Sequence, residues 1–232
     1  MDLHPDLAIL ERTELFRDTP APALRAAAGA ASRRRVAAGE TVFRQGDASA
    51  MLYVVVVGRL CASQTTPDGQ QVIIRYLGPG EVAGYAALAG AACYPGSVTA
   101  VDDTHLFCWS RVAITQIMRE HSAVAINAVA LIGARYHELQ LRLRELATER
   151  VEQRLAHTIL RLVAQAGRRT ANGIEIAFPL SRQDLSEMAG TTLHTVSRTL
   201  SAWEEQGVVR SGRRRVIVAA PDTLAAIAGA PG

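Results

Sequence analysis

Residues 180–209 read LSRQDLSEMAGTTLHTVSRTLSAWEEQGVV, and the spacing within them predicts two helices joined by a tight turn. Ser181 is an N-cap residue with Asp184 three positions on, a capping-box spacing. Leu185 and Met188 mark an apolar face before Gly190 stops the helix. Thr191 or Thr192 caps a second helix, in which Val196, Leu200 and Trp203 fall at i, i+4 and i+7 and so bury one side. Gly207 ends it. The other side of its first two turns carries His194, Thr195, Ser197 and Arg198, at the positive end of the helix dipole. A short helix, a glycine turn and a second helix with a polar N-terminal tip is how a helix-turn-helix enters the major groove. The same spacing also describes an ordinary helical hairpin with a solvated face.

The following segment weighs toward the first reading. Residues 208–218 place two β-branched runs around Ser211-Gly212 and carry Arg210, Arg213, Arg214 and Arg215, a pattern that predicts a hairpin with a basic tip. Such a wing would grip phosphates, a contact independent of base sequence and sensitive to salt. Arg182, Thr191, Thr192 and Thr195, with Arg213, Arg214 and Arg215, are the expected phosphate anchors. Arg198 can fork onto guanine O6 and N7, and Ser197 can serve base or phosphate. Leu193 is either core or a contact to a thymine methyl.

These residues resemble the winged helix of the CRP/FNR family of bacterial transcription regulators, and the likeness runs from about Arg12 to Val218, strongest from Arg154 onward. The resemblance implies a cyclic-nucleotide-binding-type β-roll, a dimer and a palindromic operator. In the family the reading positions are commonly Glu, then Ser or Gly, then Arg; here His194, Ser197 and Arg198 stand in their place. An imidazole can donate to guanine or thymine where a carboxylate accepts from cytosine, so an altered half-site is expected. LHTVSRTLSAW further resembles the nitric-oxide-responsive branch, which implies a gas or haem ligand.

The 232 residues suit two domains. There is no lysine, and residues 148–232 hold 11 arginines against 8 acids, whereas residues 1–147 carry 14 of each sign. The basic surplus therefore collects around the wing. Cys61, Cys93 and Cys108 follow no metal-ligand spacing and are expected to be buried reduced thiols of a cytoplasmic protein. No signal peptide or membrane-length apolar run is read, so no membrane partner is expected.

Upstream, residues 1–32 read as helical with breaks at Pro20 and Pro22. From Arg33 to Trp109, short runs (41–43, 51–57, 60–65, 71–77, 98–101 and 104–109) alternate with Gly, Pro and Asp turns, which predicts a small antiparallel, jelly-roll-like β-roll. Its segment around Gly84, Tyr85 and Ala86 is the candidate effector site. Cyclic AMP members of the family use a Glu for the ribose and an Arg for the phosphate there. Tyr85 replaces the Glu, and no Arg or Lys lies between Arg75 and Arg111, so burial of a phosphodiester would lack its cation. No Cys precedes Cys61, which argues against the family's iron–sulfur cluster. Haem remains an open cofactor, with His4, His105, His121, His137 and Cys93 as candidate ligands.

Residues 110–121 predict a short helix and 122–146 a long one. Ala125, Val129, Ile132, Tyr136, Leu139, Leu143 and Leu146 alternate by four and three, a coiled-coil seam expected to pair two chains or to pack on the chain's own roll. Arg135, Glu138, Arg142, Arg144 and Glu145 are the charges expected beside it. Thr148 is expected to cap a helix from Val151 to Ala166, with a hinge at 147–150. The fold class is thus α+β, divided into a sensory roll (1–121), a dimerisation helix (122–147) and a winged helix-turn-helix domain (148–232). The function expected is a homodimeric regulator on an inverted repeat spaced by about 10 bp, touching RNA polymerase if it activates. A ligand-independent regulator of the same fold is one alternative. A cupin-like metalloenzyme is disfavoured, since His105 is the only His between His4 and His121.

Overall fold

The computed structural model describes residues 5–229, which divide into one unit ending at Leu139 and another beginning at Gln140. The first unit runs α1 (Pro5–Glu11), a 3-10 turn (Glu14–Phe16), α2 (Ala21–Ala30), β1 (Ser32–Val36), β2 (Thr41–Phe43), β3 (Met51–Val57) and β4 (Leu60–Thr65). It continues through β5 (Gln71–Leu77), β6 (Val82–Ala83), a 3-10 turn (Tyr85–Ala87), β7 (Ser97–Ala100), β8 (Thr104–Ser110), α3 (Arg111–Glu120) and into α4 (Ser122–Thr148).

The strands form two antiparallel sheets, β1-β8-β3-β6 and β2-β7-β4-β5. The near-continuous apolar runs of β3 and β8 follow from burial on both faces. Leu52, Val54, Phe107 and Trp109 point to a cluster with Leu10, Phe16, Leu24, Ile114, Val124 and Leu131 of the helices. The alternate residues Tyr53, Val55, Leu106 and Cys108 point between the sheets, with Phe43, Leu60, Leu77, Tyr94 and Val98. Trp109 satisfies its indole N–H on the Ala27 carbonyl at 2.8 Å, so the largest buried side chain leaves no orphan donor.

Two strands exceed the six expected. β1 is built on Arg33-Arg34-Arg35, whose charge conceals an edge strand that needs little apolar surface. β6 spans only two residues, too few for any periodicity. Of the three cysteines expected to be buried, Cys108 is buried, Cys61 is partly exposed and Cys93 is exposed. Burial raises the Cys108 thiol to about 11, which keeps it protonated.

The second unit holds the end of α4, then α5 (Val151–Ala166), β9 (Gly167–Thr170), β10 (Gly173–Ile176), α6 (Arg182–Ala189), α7 (Leu193–Glu205), β11 (Val209–Gly212), β12 (Arg215–Val218) and α8 (Pro221–Ala228). The wing is not a lone hairpin: β12 also pairs with β10, giving the sheet β11-β12-β10-β9. Thr148 does not cap α5. It is the last residue of α4 and gives its hydroxyl hydrogen to the Arg144 carbonyl, while Gln153 Oε1 accepts from the Arg150 N–H at the start of α5.

The expected seam on α4 is largely open to solvent, Val129, Tyr136, Leu139, Leu143 and Leu146 being 54% to 71% exposed, with Ile132 and Ala125 partly covered. Three of its expected flanking charges, Arg135, Glu138 and Glu145, are engaged within the chain. Arg135 bridges Glu14 (2.8 Å) and Glu138 (3.1 Å). Glu145 is buried and held by Arg161 Nη1 at 2.7 and 2.8 Å, because a carboxylate out of water requires a cation beside it. No helix among the described residues is long and apolar enough to cross a membrane.

Candidate nucleic-acid interface

Local chemistry sets the two helices as expected. The Asp184 N–H donates to Ser181 Oγ (3.1 Å) and the Ser181 N–H to Asp184 Oδ2 (2.7 Å), closing the capping box of α6. Gly190 takes the left-handed conformation (φ 62°) that ends α6, and a Cβ there would sit 3.1 Å from Leu146 Cδ2. Thr192, rather than Thr191, caps α7 by accepting from the Thr195 N–H at 3.2 Å. Val196, Leu200 and Trp203 are buried as predicted, joined by Thr199.

Three residues that the sequence reading passed over hold this pair in place. Arg154 of α5 donates to the carbonyls of Ala189 (3.1 Å) and Gly190 (3.2 Å), meeting the electronegative end of α6 with a cation. Glu204 of α7 accepts from the Ser211 N–H at 2.5 Å, tying α7 to the wing. Glu175 of β10 receives Arg168 (2.9 Å) and Arg215 (2.5 Å), and those two guanidiniums hold its carboxyl below the usual carboxylate range. Of the three, only Glu175, a lone charge between Ile174 and Ile176, carried a signal in the sequence.

The predicted contact residues then sort by partner. Leu193, His194 and Arg198 on the first two turns of α7 and Thr192 at its cap are exposed, with Thr191, Thr195 and Ser197 partly so. Leu193 is 46% exposed, which resolves its two readings against a core role. Thr195 shares its hydroxyl with Thr192 at 2.9 Å. Arg198, Arg213 and Arg214 have exposed side chains with no partner among the described residues. Arg182 and Arg215 do not stand free as anchors: Arg182 donates to Ser211 Oγ (3.0 Å), and Arg215 is paired with Glu175. The hairpin turn is Arg213-Arg214, not Ser211-Gly212, since Gly212 still pairs with Arg215. Arg214 sits at φ 56°, a left-handed backbone unusual for a side-chain-bearing residue, with its carbonyl accepting from the Leu180 N–H. The turn thus projects two guanidiniums at its tip.

In the first unit, Gly84, Tyr85 and Ala86 line a cavity of about 280 Å³ between the sheets, with Phe43, Leu77, Tyr94, Val98 and Leu139. Gly84 is obligatory: its φ is 75° and a Cβ would meet the Met51 carbonyl oxygen at 2.8 Å. The Tyr94 hydroxyl is fixed on Met51, donating to its carbonyl at 2.6 Å, and its ring stacks on Phe43 with centroids 3.8 Å apart. Arg75 of β5 also lines this cavity. It escaped the sequence reading, which sought a cation only after β6, although a lone charge within Val72-Ile-Ile-Arg-Tyr-Leu77 was visible. His105, His137 and Cys93 are exposed, His121 is partly so, and none of the four lines the cavity, so these residues do not fit a haem held there. His4 lies outside the described residues. No cluster of three or more His, Cys, Asp or Glu side chains suited to a metal occurs among the described residues.

An antiparallel roll joined through a long helix to a winged helix-turn-helix with unpartnered arginines on its reading helix and wing tip defines a DNA-binding transcription regulator with a ligand-binding-type domain. Residues 33–121 match the family model "Cyclic nucleotide-binding domain", and residues 153–227 match "Crp-like helix-turn-helix domain". The Cyclic AMP receptor protein of Thermus thermophilus is 35% identical over 180 residues, 78% of this chain and 80% of that protein. The Transcriptional activator protein FnrL of Cereibacter sphaeroides is 30% identical over 191 residues, 80% and 75% of the respective chains. Among solved structures, FixK2 from Bradyrhizobium japonicum superposes with a TM-score of 0.77 at 23% identity, over 87% of this chain and 99% of that one, a likeness of fold. The chain belongs to the CRP/FNR family of transcription regulators.

Proposed function

We propose that the protein works as a homodimer whose two α7 helices read an inverted-repeat operator in successive major grooves, under control of a signal sensed in the roll. The observation that carries the DNA reading is the division among arginines. Arg182, Arg210 and Arg215 are held by Ser211, Asn172 and Glu175, while Arg198, Arg213 and Arg214 are left without a protein partner. An unpartnered guanidinium at a helix tip or hairpin tip suits bidentate contact with guanine or phosphate. In this reading Arg198 specifies, with His194, Ser197 and Leu193 beside it. Arg213 and Arg214 grip the backbone, assisted by Thr191, Thr192 and Thr195. Arg182 and Arg215 serve first to brace the wing.

Dimerisation through Val129, Ile132, Tyr136, Leu139, Leu143 and Leu146 is supported by the exposure of that stripe, which would otherwise leave a continuous apolar ridge in water. Leu139 belongs to both the stripe and the cavity wall, so an occupant of the cavity would touch the pairing helix. A ligand shifts such an equilibrium only by its difference in affinity for the two states. Cyclic AMP in the family's usual mode is disfavoured, because Tyr85 stands where the ribose-binding Glu would be and Arg75 is engaged by Glu81. If the protein activates, a surface patch contacts RNA polymerase.

Selection of bound duplexes from a random pool, with light scattering on the same preparation, tests the proposal. A symmetric site with half-sites about 10 bp apart and a dimeric mass are expected. A monomer at high concentration that ignores symmetric duplexes in low salt would end it.

A further inference from the structure

One guanidinium in the second unit joins two helix ends. Arg154, on the first turn of α5, donates through Nε to the Ala189 carbonyl (3.1 Å) and through Nη2 to the Gly190 carbonyl (3.2 Å), both at the C-terminal end of α6. Its third nitrogen, Nη1, donates to the Glu149 carbonyl at 3.0 Å, one residue past the end of α4. No carboxylate shares this guanidinium among the described residues. A helix C-terminus carries unpaired carbonyls and partial negative charge, so two such ends brought together repel. The single cation between them satisfies carbonyls of both.

A second contact reinforces the first. A Cβ on Gly190 would stand 3.1 Å from Leu146 Cδ2, so the turn between α6 and α7 is seated against the last turn of α4. Thr192, two residues beyond Gly190, caps α7 and begins its polar tip. One turn earlier in α4, the pair of Glu145 with Arg161 ties that helix to α5 at 2.7 and 2.8 Å. All of these residues belong to the unit beginning at Gln140. The arrangement needs a planar fork: acceptors on two chain segments are met by three different nitrogens, where a lysine would have to serve them from one atom.

We propose that Arg154 is a positioning residue for DNA reading: it locks the α6–α7 turn to the end of α4, so that α7 moves with the last turns of that helix as one body. The inference rests on the reading of the protein as a dimeric regulator and supplies the last step of its control. A change in α4 reaches the reading helix through this joint instead of being absorbed at residues 147–150, where the sequence suggested a hinge. An unlocked turn would leave each half-site readable but the distance between two reading helices loose.

Arg154→Met keeps the apolar stem and removes the three donors. The first readout needs no DNA: amide hydrogen exchange, followed residue by residue by NMR in the full-length chain. Loss of the joint should speed exchange at Glu149 and Arg150 and at Gly190 and Thr191 together, by about tenfold or more, the effect of losing hydrogen bonds from a charged donor. The amides of β12 should stay as protected as in the wild type. Arg154→Lys, which keeps the charge but not the fork, should also leave both segments faster than the wild type, and it carries the test if the methionine variant fails to fold. Faster exchange at Gly190 and Thr191 alone would reduce Arg154 to a cap of α6, and a uniform rise that includes β12 would make its role merely structural. Either result, or no change in either segment, overturns the inference. The second readout is a set of inverted repeats whose half-site spacing differs by one base pair. The wild type should prefer one spacing, and Arg154→Met should bind the spacings more evenly, losing more affinity for the preferred repeat than for a single half-site. An undiminished spacing preference overturns the inference. A wild type that ignores every duplex refutes the regulator alone, since exchange in the variants still decides the joint.

Discussion

In the roll, Arg75 lies buried against Glu81 with the aromatic wall of a cavity around it, whereas in the winged helix Arg198, Arg213 and Arg214 stand in water with no partner. Both regions contain acids enough to do otherwise. The second unit in fact commits Glu175 and Glu204 to the wing, yet these bind Arg168, Arg215 and the Ser211 backbone and spare the tip. The difference shows two uses of one residue type. A buried guanidinium is held in one geometry by the carboxylates beside it, and its charge is used up inside the fold. An exposed one keeps its charge for an anion that arrives from outside, where it is worth most at low salt.

The largest effect is expected in the core of the roll. Trp109→Ala, which removes contacts with Phe16 and Phe107 and the bond to Ala27, should destabilise the roll by about 3–5 kcal/mol in denaturant unfolding. The winged helix should keep its duplex binding in conditions where the variant remains folded. If instead both functions vanish together in molecules that are still folded, the division into two roles is wrong.

Next in size are the exposed arginines. Arg198→Ala should cost about 1–3 kcal/mol of discrimination at one base pair per half-site. Arg214→Ala should weaken all duplexes alike and lower the salt slope by about one per subunit, measured by titration across ionic strengths. Identical behaviour of the two variants would erase the distinction between reading helix and wing tip. Arg215→Ala should move the salt slope less than Arg214→Ala does, because its charge already faces Glu175.

The smallest effects concern that paired acid. Glu175 titrates below its ordinary value in the folded chain, so the stability it lends is fully present above the unfolded carboxylate pKa and is lost as pH falls through the lower folded value. Acid unfolding of the second unit, followed by circular dichroism, should therefore steepen below about pH 4. Glu175→Gln should flatten that dependence and, by releasing Arg215, modestly raise duplex affinity at low salt. A fall in duplex affinity would show that Glu175 shapes the wing more than it occupies its charge.

Much of this molecule is legible in short spacings. The capping box at Ser181, the stop at Gly190 and the i, i+4, i+7 face of α7 all depend on residues within a few positions of one another. Helix periodicity and caps are local physics, and they locate the candidate DNA-reading surface without any tertiary information. The resemblance to the family rests on the same stretch. β1 was hidden because an edge strand tolerates three consecutive arginines, and β6 because two residues have no period.

What remained undecidable in one dimension was the fate of each charge. Arg213, Arg214 and Arg215 look alike in a row, yet only the third meets Glu175, 40 positions away, when β10 pairs with β12. Arg135, Glu138 and Glu145 seemed to flank a dimer axis, but the N-terminal turn and α5 bring Glu14 and Arg161 to two of them. Arg75 looked like the edge of a cation-free gap until the sheets closed a cavity around it. Charge acts through space at a few ångströms and is indifferent to distance along the chain, so only the folded arrangement determines which guanidiniums are used up and which stay available.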